Sequence, residues 1–183
     1  MNKVKPKTAE EVLSSVYSTG LAGDYVDLYR IASEFDVKIV EDKSLADDII
    51  GEISCESGDS VIKINPLNNS YEPRKNFTIA HELGHYFLHL NGDSKEFVDN
   101  KRTMNRTDSF WDAKESEANN FAANLLMPVS LIINNGKRII DTYKRENDTQ
   151  SMPKEEFIFE LSKELKVSRE SLVYRLKNLG IIK

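Results

Sequence analysis

Apolar positions along the chain follow two rhythms. Between residues 9 and 36 they fall at Val12, Leu13, Val16 and Tyr17, and again at Leu28, Ile31, Ala32 and Phe35. This is the three-and-four spacing of helices that each bury one face. Gly20 and Gly23 interrupt the run, so two helices are predicted. From 37 to 65 the rhythm shortens. VKIVE, DIIGEIS and VIKIN are short, β-branched and roughly alternating, which predicts three strands. The turn-forming ESGDS (56–60) joins the second and third as an antiparallel hairpin. PLNNSYEPRK (66–75) reads as a loop. Helical spacing then returns from about Phe77 to Leu90, with Asn76 as N-cap and Gly92 past the end. It returns again from about Phe110 to Met127, capped by Asp108 or Ser109 and closed by Pro128. The polar stretch 91–108 between these helices reads as a loop. Residues 129–183 are predicted to be helical, with NDTQSMP (147–153) as a linker and two amphipathic helices joined at Val167–Ser168.

This pattern predicts an α+β fold: a small antiparallel sheet, two central helices and a helical C-terminal extension. The expected organisation is a frayed, Lys-rich lead over 1–8, a main domain over 9–128 and the extension over 129–183. Composition changes the picture little. Of the 183 residues 39% are hydrophobic and 30% charged, and eight Phe, seven Tyr and one Trp suffice for a core without disulfides. The single cysteine, Cys55, excludes a disulfide framework within the chain and a Cys-rich zinc module; at the end of the second strand it reads as a half-buried thiol. A net charge of -5 argues against nucleic acid as the main partner. The most apolar window, Phe121 to Ile133, is broken by Asn124, Pro128 and Ser130 and is too short to span a membrane. No secretory signal is seen, and a cytoplasmic location is expected.

The chemistry is concentrated in His81-Glu82-Leu83-Gly84-His85. Residues i and i+4 of a helix share a face, about 6 Å apart along the axis, so two imidazoles there can converge on one Zn²⁺. Glu82 is turned by about 100° from His81 and flanks the metal, where it can take a proton from water. All three histidines of the protein lie within 81–89. His89 is about 12 Å along the axis from His81 and cannot share its ion. The longer H-E-x-x-H-x-x-G-x-x-H pattern is excluded, because Leu88 and Asn91 occupy the positions it needs. The third ligand is therefore a carboxylate, and a His₂Glu set with an open position is a hydrolytic arrangement. On the second helix Glu115 shares a face with Asn119 and is the favoured ligand, with Glu117 the alternative. Asn119 is a candidate to orient a ligand histidine. His89, Tyr86 and Tyr71 are candidates for an oxyanion donor, and His89 is the more natural packing or hydrogen-bonding residue.

NFTIAHELGHYFLH followed by ESEANNFAANLLMP resembles the ImmA/IrrE family of metallopeptidases, whose pattern joins a Thr-x-Ala-HExxH-x-x-x-His helix to a Glu-x-x-Ala-Asn/Asp-x-Phe-Ala-x-x-Leu-Leu-Met-Pro helix. The match is specific over about 76–90 and 115–128; upstream, IIGEIS and VIKINP are more loosely similar to the family's small sheet. The resemblance implies a zincin-like domain, zinc held by His81, His85 and Glu115, and a catalytic Glu82. It also implies a protein substrate: family members in prophages and mobile elements cleave a helix-turn-helix repressor, and others act on similar regulators in stress responses. The expected function is zinc-dependent endopeptidase. The rival reading is a regulatory or toxin–antitoxin partner that keeps the zinc fold as a scaffold, and the intact Glu82 argues against it.

The C-terminal LSKELKVSRESLVYRLKNLGII has helix-turn-helix rhythm, with Ser168 as a cap. Arg169, Tyr174, Arg175 and Lys177 could meet phosphates. The segment is only weakly basic, so packing and docking are expected of it rather than DNA binding.

Overall fold

A computed structural model of the chain describes residues 5–18, 20–21, 23–56, 58–90, 96–100 and 109–183. Two helices open it. In α1 (Ala9–Val16) the Thr8 side chain accepts from the Glu11 amide, and in α2 (Leu28–Glu34) the Asp27 carboxylate accepts from the amides of Tyr29 and Arg30. These caps satisfy amides that have no partner within the helix. Of the expected frayed lead, residues 1–4 lie outside the described residues, while Lys5 donates to the Tyr86 carbonyl and sits over the Tyr86 ring.

Strands β1 (Val37–Glu41), β2 (Ile49–Glu56), β3 (Asp59–Ile64) and β4 (Glu96–Asn100) form one sheet in the order β1-β3-β2-β4. The β2–β3 hairpin is antiparallel, as is β2–β4. β1 runs parallel to β3, so the sheet is mixed rather than wholly antiparallel. Turn residues report only the pairing of neighbours in the chain, and β1 reaches β3 past the intervening strand β2. β4 lies inside the stretch expected to be a loop; the rest of that stretch, 91–95 and 101–108, lies outside the described residues, as do Gly92 and Asp108.

Helix α3 (Glu72–Leu88) starts about a turn earlier than the apolar spacing suggested, at Tyr71 rather than Asn76. Pro73 stands in its first turn, where proline is compatible with a helix because the missing N–H had no partner anyway. Asn76 instead donates to the Lys166 carbonyl. α4 (Ser109–Leu126), α5 (Val129–Glu146), α6 (Lys154–Glu164) and α7 (Arg169–Asn178) follow, and Ser168 caps α7 by accepting from the Ser171 amide.

One buried cluster unites these elements. It takes Ile53, Ile62 and Ile64 from the sheet, Ile79, Leu83 and Phe87 from α3, Phe121 and Leu125 from α4, and Leu161, Leu165, Leu172 and Leu176 from the C-terminal helices. α3 is the central helix: every residue from Thr78 to His85 is buried. Its two tightest neighbours are fixed by small residues. A Cβ at Gly84 would lie 3.0 Å from the Cα of Ala118 and 3.1 Å from its carbonyl oxygen, so α3 and α4 touch backbone to backbone. A Cβ at Gly51 of β2 would lie 2.8 Å from Thr78 Cγ2 and 3.0 Å from Glu82 Oε1.

The approach of β2 to α3 is held by a buried amide network. Thr78 Oγ1 donates to Asn69 Oδ1, and Asn69 Nδ2 donates to the carbonyls of Ile50 and Asn65. Asn65 Nδ2 in turn reaches the carbonyls of Ala46 and Ile49. Residues that read as loop by composition thus tie the start of β2 to the middle of α3. Among the described residues no helix is long and apolar enough to cross a membrane.

Gly84→Val tests the helix contact. Forcing a branched side chain against the Ala118 backbone is expected to cost about 2–3 kcal/mol of stability by overpacking, read as a lower urea midpoint of the metal-free protein. An unchanged midpoint would show that α4 can move away without loss.

Candidate metal centre

The central helix brings His81 and His85 to one face, four residues apart, and α4 brings Glu115 to meet them. The Nε2 atoms of the two histidines are 3.0 Å apart. Glu115 Oε2 lies 3.1 Å from His81 Nε2, and Glu115 Oε1 lies 3.2 Å from His85 Nε2. The ligand atoms available from the three residues all fall within 4.8 Å of one another. Adjacent ligands of a tetrahedral zinc at bond lengths of 2.0–2.1 Å stand about 3.3 Å apart, so this spacing suits one such ion.

The chemistry of the donors agrees with the spacing. His81 Nδ1 lies 3.0 Å from Asn119 Oδ1 and donates to it, which leaves the lone pair of Nε2 turned toward the cluster. Two imidazole lone pairs and a carboxylate at this range repel one another unless a cation or a proton stands between them. Burial pushes the His85 imidazole below its usual range, although Glu115 pulls it upward, so the neutral ring is favoured. Burial pushes the Glu115 carboxyl up, but the two imidazoles beside it, His81 and His85, outweigh burial and hold the group at about 2. A neutral imidazole and an ionised carboxylate are the forms that bind metals.

Glu82 points off this face into the interior and is fully buried. Gly51 leaves the room it occupies, and Thr78, anchored by Asn69, walls it on the β2 side. A carboxylate so enclosed is held in place before any substrate arrives.

The remaining candidates divide. Asn119 lies against His81, its Oδ1 3.0 Å from His81 Nδ1. His89 is not turned to the open side as an oxyanion donor: its Nδ1 is 2.9 Å from His85 Nδ1 and its Nε2 is 2.9 Å from Glu117 Oε2. Glu117 is therefore paired with His89 and does not join His81 and His85. Tyr86 is not brought to the cluster, since its hydroxyl donates to the Phe35 carbonyl. Tyr71 is exposed at the start of α3. Phe97 of β4 was not foreseen: its ring stacks on His85, centroids 4.6 Å apart and planes at 15°. The sequence carries no alternation here: Phe97 and Val98 are two adjacent apolar residues between Glu96 and Asp99, too short a run to separate from a loop.

The sequence model of the Peptidase_M78 family, described as the IrrE N-terminal-like domain, matches residues 32–177, which include the whole sheet, α3, α4 and most of the C-terminal helices. No curated protein matches the chain.

Metal analysis by native mass spectrometry separates the two carboxylates of α4. About one zinc per chain is expected in the wild type, as a single His₂Glu set implies. Glu115→Gln is expected to lose it and Glu117→Gln to keep it. Loss with Glu117→Gln alone would move the ligand by two residues.

Proposed function

Because the chain belongs to the Peptidase_M78 family of IrrE N-terminal-like domains, and so is a peptidase, we propose that it is a zinc-dependent endopeptidase of the cytoplasm. Its proposed substrate is a helix-turn-helix transcriptional repressor of a prophage, mobile element or stress circuit. The observation that carries this reading is the convergence of His81, His85 and Glu115 beside the buried Glu82. The substrate class rests on the likeness of the two central helices to the ImmA/IrrE metallopeptidases.

His81, His85 and Glu115 would hold the zinc, which when bound supplies Lewis acidity that polarises a peptide carbonyl and makes water more acidic. The chain's own residues do the rest. Glu82 is next to His81 in the chain, and its carboxylate accepts the proton of the attacking water. The same carboxylate, once protonated, returns that proton to the leaving amine. Its burial against Gly51 of β2 limits the positions the carboxylate can take. Asn119 holds the ring of His81 in the orientation that turns Nε2 inward.

The C-terminal helices fit docking or support better than DNA recognition. Leu161, Leu165, Leu172 and Leu176, which give the segment its helix-turn-helix rhythm, are spent in the shared core. Arg175 is turned inward, with Nε donating to the Met127 carbonyl.

Glu82→Gln is expected to retain zinc while repressor cleavage falls by about 10²–10⁴-fold, the usual contribution of a general base. Cleavage is followed by mass spectrometry of a neighbouring repressor incubated with the zinc-loaded protein. A Glu82→Gln protein as active as the wild type would remove the peptidase mechanism and favour a scaffold. Gly51→Val presses on Glu82 and is expected to lower kcat by about tenfold or more with zinc retained, since small misplacements of a catalytic group carry costs of that order.

A further inference from the structure

A histidine binds metal through a ring nitrogen that carries no proton, and which nitrogen that is depends on what the other one touches. For His85 the question is answered two side chains along a hydrogen-bonded row, at Glu117. His89 Nε2 lies 2.9 Å from Glu117 Oε2. A carboxylate only accepts, so Nε2 of His89 carries the proton and, in the neutral ring, its Nδ1 is bare. That bare Nδ1 is 2.9 Å from Nδ1 of His85, a distance at which one nitrogen donates and the other accepts. His85 must then donate from Nδ1, which leaves its Nε2 lone pair directed at Glu115 and His81. The direction of the whole chain is set from the Glu117 end.

We propose that Glu117 and His89 form a positioning relay that fixes the tautomer and ring orientation of His85 and so strengthens metal binding. The proposal rests on the reading of His81, His85 and Glu115 as the metal site. Three observations support it. Phe97 stacks on His85 with centroids 4.6 Å apart and lies 5.6 Å from His89 with the planes tilted by 43°, so one aromatic ring packs against both imidazoles and restrains them. His89 is buried while Glu117 is 63% exposed, so the link is not an ordinary surface ion pair: its inner end is enclosed and directional. Asn119 and His89 complete a symmetrical arrangement in which each metal-facing imidazole has its far nitrogen engaged by a dedicated partner. Asn119 and Glu117 are both supplied by α4, the helix that also supplies Glu115.

The test is the zinc dissociation constant, measured by competition with a chromophoric chelator on wild type, Glu117→Ala, Glu117→Gln and His89→Phe, alongside melting curves of the metal-free proteins. His89→Phe is expected to weaken zinc binding by about 10–100-fold, the range for partners that orient a ligand. Glu117→Ala is expected to weaken it by about tenfold with an unchanged metal-free melting temperature, because the exposed side chain contributes little to the fold. Glu117→Gln keeps an oxygen acceptor for His89 Nε2–H and is expected to restore most of the affinity. Glu117→Ala binding zinc as tightly as wild type would overturn the relay. So would Glu117→Gln being as weak as Glu117→Ala, since that would make the effect one of charge rather than of proton direction. A wild type that binds no zinc would overturn the metal site itself, a failure distinct from either.

Discussion

The backbone contact between Gly84 and Ala118 governs the geometry of the site. Glu115 is one turn before Ala118 on α4, and His81 and His85 flank Gly84 on α3. The distance between the helices therefore sets the distance between the carboxylate and the imidazoles. A Cβ at Gly84 would meet Ala118 atoms at 3.0–3.3 Å, so any larger residue at 84 would push α4 outward. Carboxylate oxygens 3.1 and 3.2 Å from the histidine nitrogens leave no slack for such a shift. Glycine in a helix interior costs roughly 1 kcal/mol against alanine. Here the cost is offset by a close approach that a larger residue would prevent.

The same logic operates on the opposite side of α3. Gly51 lets β2 lie against Thr78 and Glu82, and the Asn65–Asn69–Thr78 network pins that strand by buried hydrogen bonds. α3 is thus gripped between a strand and a helix, each at near-minimal distance. The candidate ligands on α3 and α4 are thereby held in register by a strand, a helix contact and the loop that carries Asn65 and Asn69. The C-terminal helices add a third grip. Asn76 donates to the Lys166 carbonyl, and Lys166 Nζ pairs with Glu72, so the turn between α6 and α7 is fastened to the first turn of α3.

How much of this is legible in the sequence follows from the range of each interaction. The i, i+4 histidines, the buried helix faces, the β2–β3 hairpin and the Ser168 cap are local, and residue spacing reports them directly. Glu115 stands four residues before Asn119 on α4, so helix spacing reaches it as a candidate ligand. The parallel β1–β3 pairing, β4 and the stacking of Phe97 on His85 join residues distant in sequence, and no local pattern encodes them. The start of α3 is not legible locally, because Pro73 and the polar residues around it read as loop, whereas proline in the first turn is neutral to the helix. The role of Glu117 was hidden for a different reason. An exposed helix carboxylate is ordinarily solvated, and only the position of His89 makes this one directional.

The helix-turn-helix rhythm of residues 161–179 shows what periodicity cannot separate. A recognition helix and a packing helix both place apolar residues every three or four positions, because both must bury one face. What distinguishes them is the other face, where a DNA reader needs exposed cations free to reach phosphates. Here Arg175 is committed to the Met127 carbonyl at the end of α4, and Arg169 lies over the Phe159 ring. The inward-turned arginine ties α7 to the far end of the helix that carries Glu115, Glu117 and Asn119. A segment that looks from its spacing like a reader of DNA is, in its contacts, a buttress of the helix that brings Glu115 to the candidate metal centre.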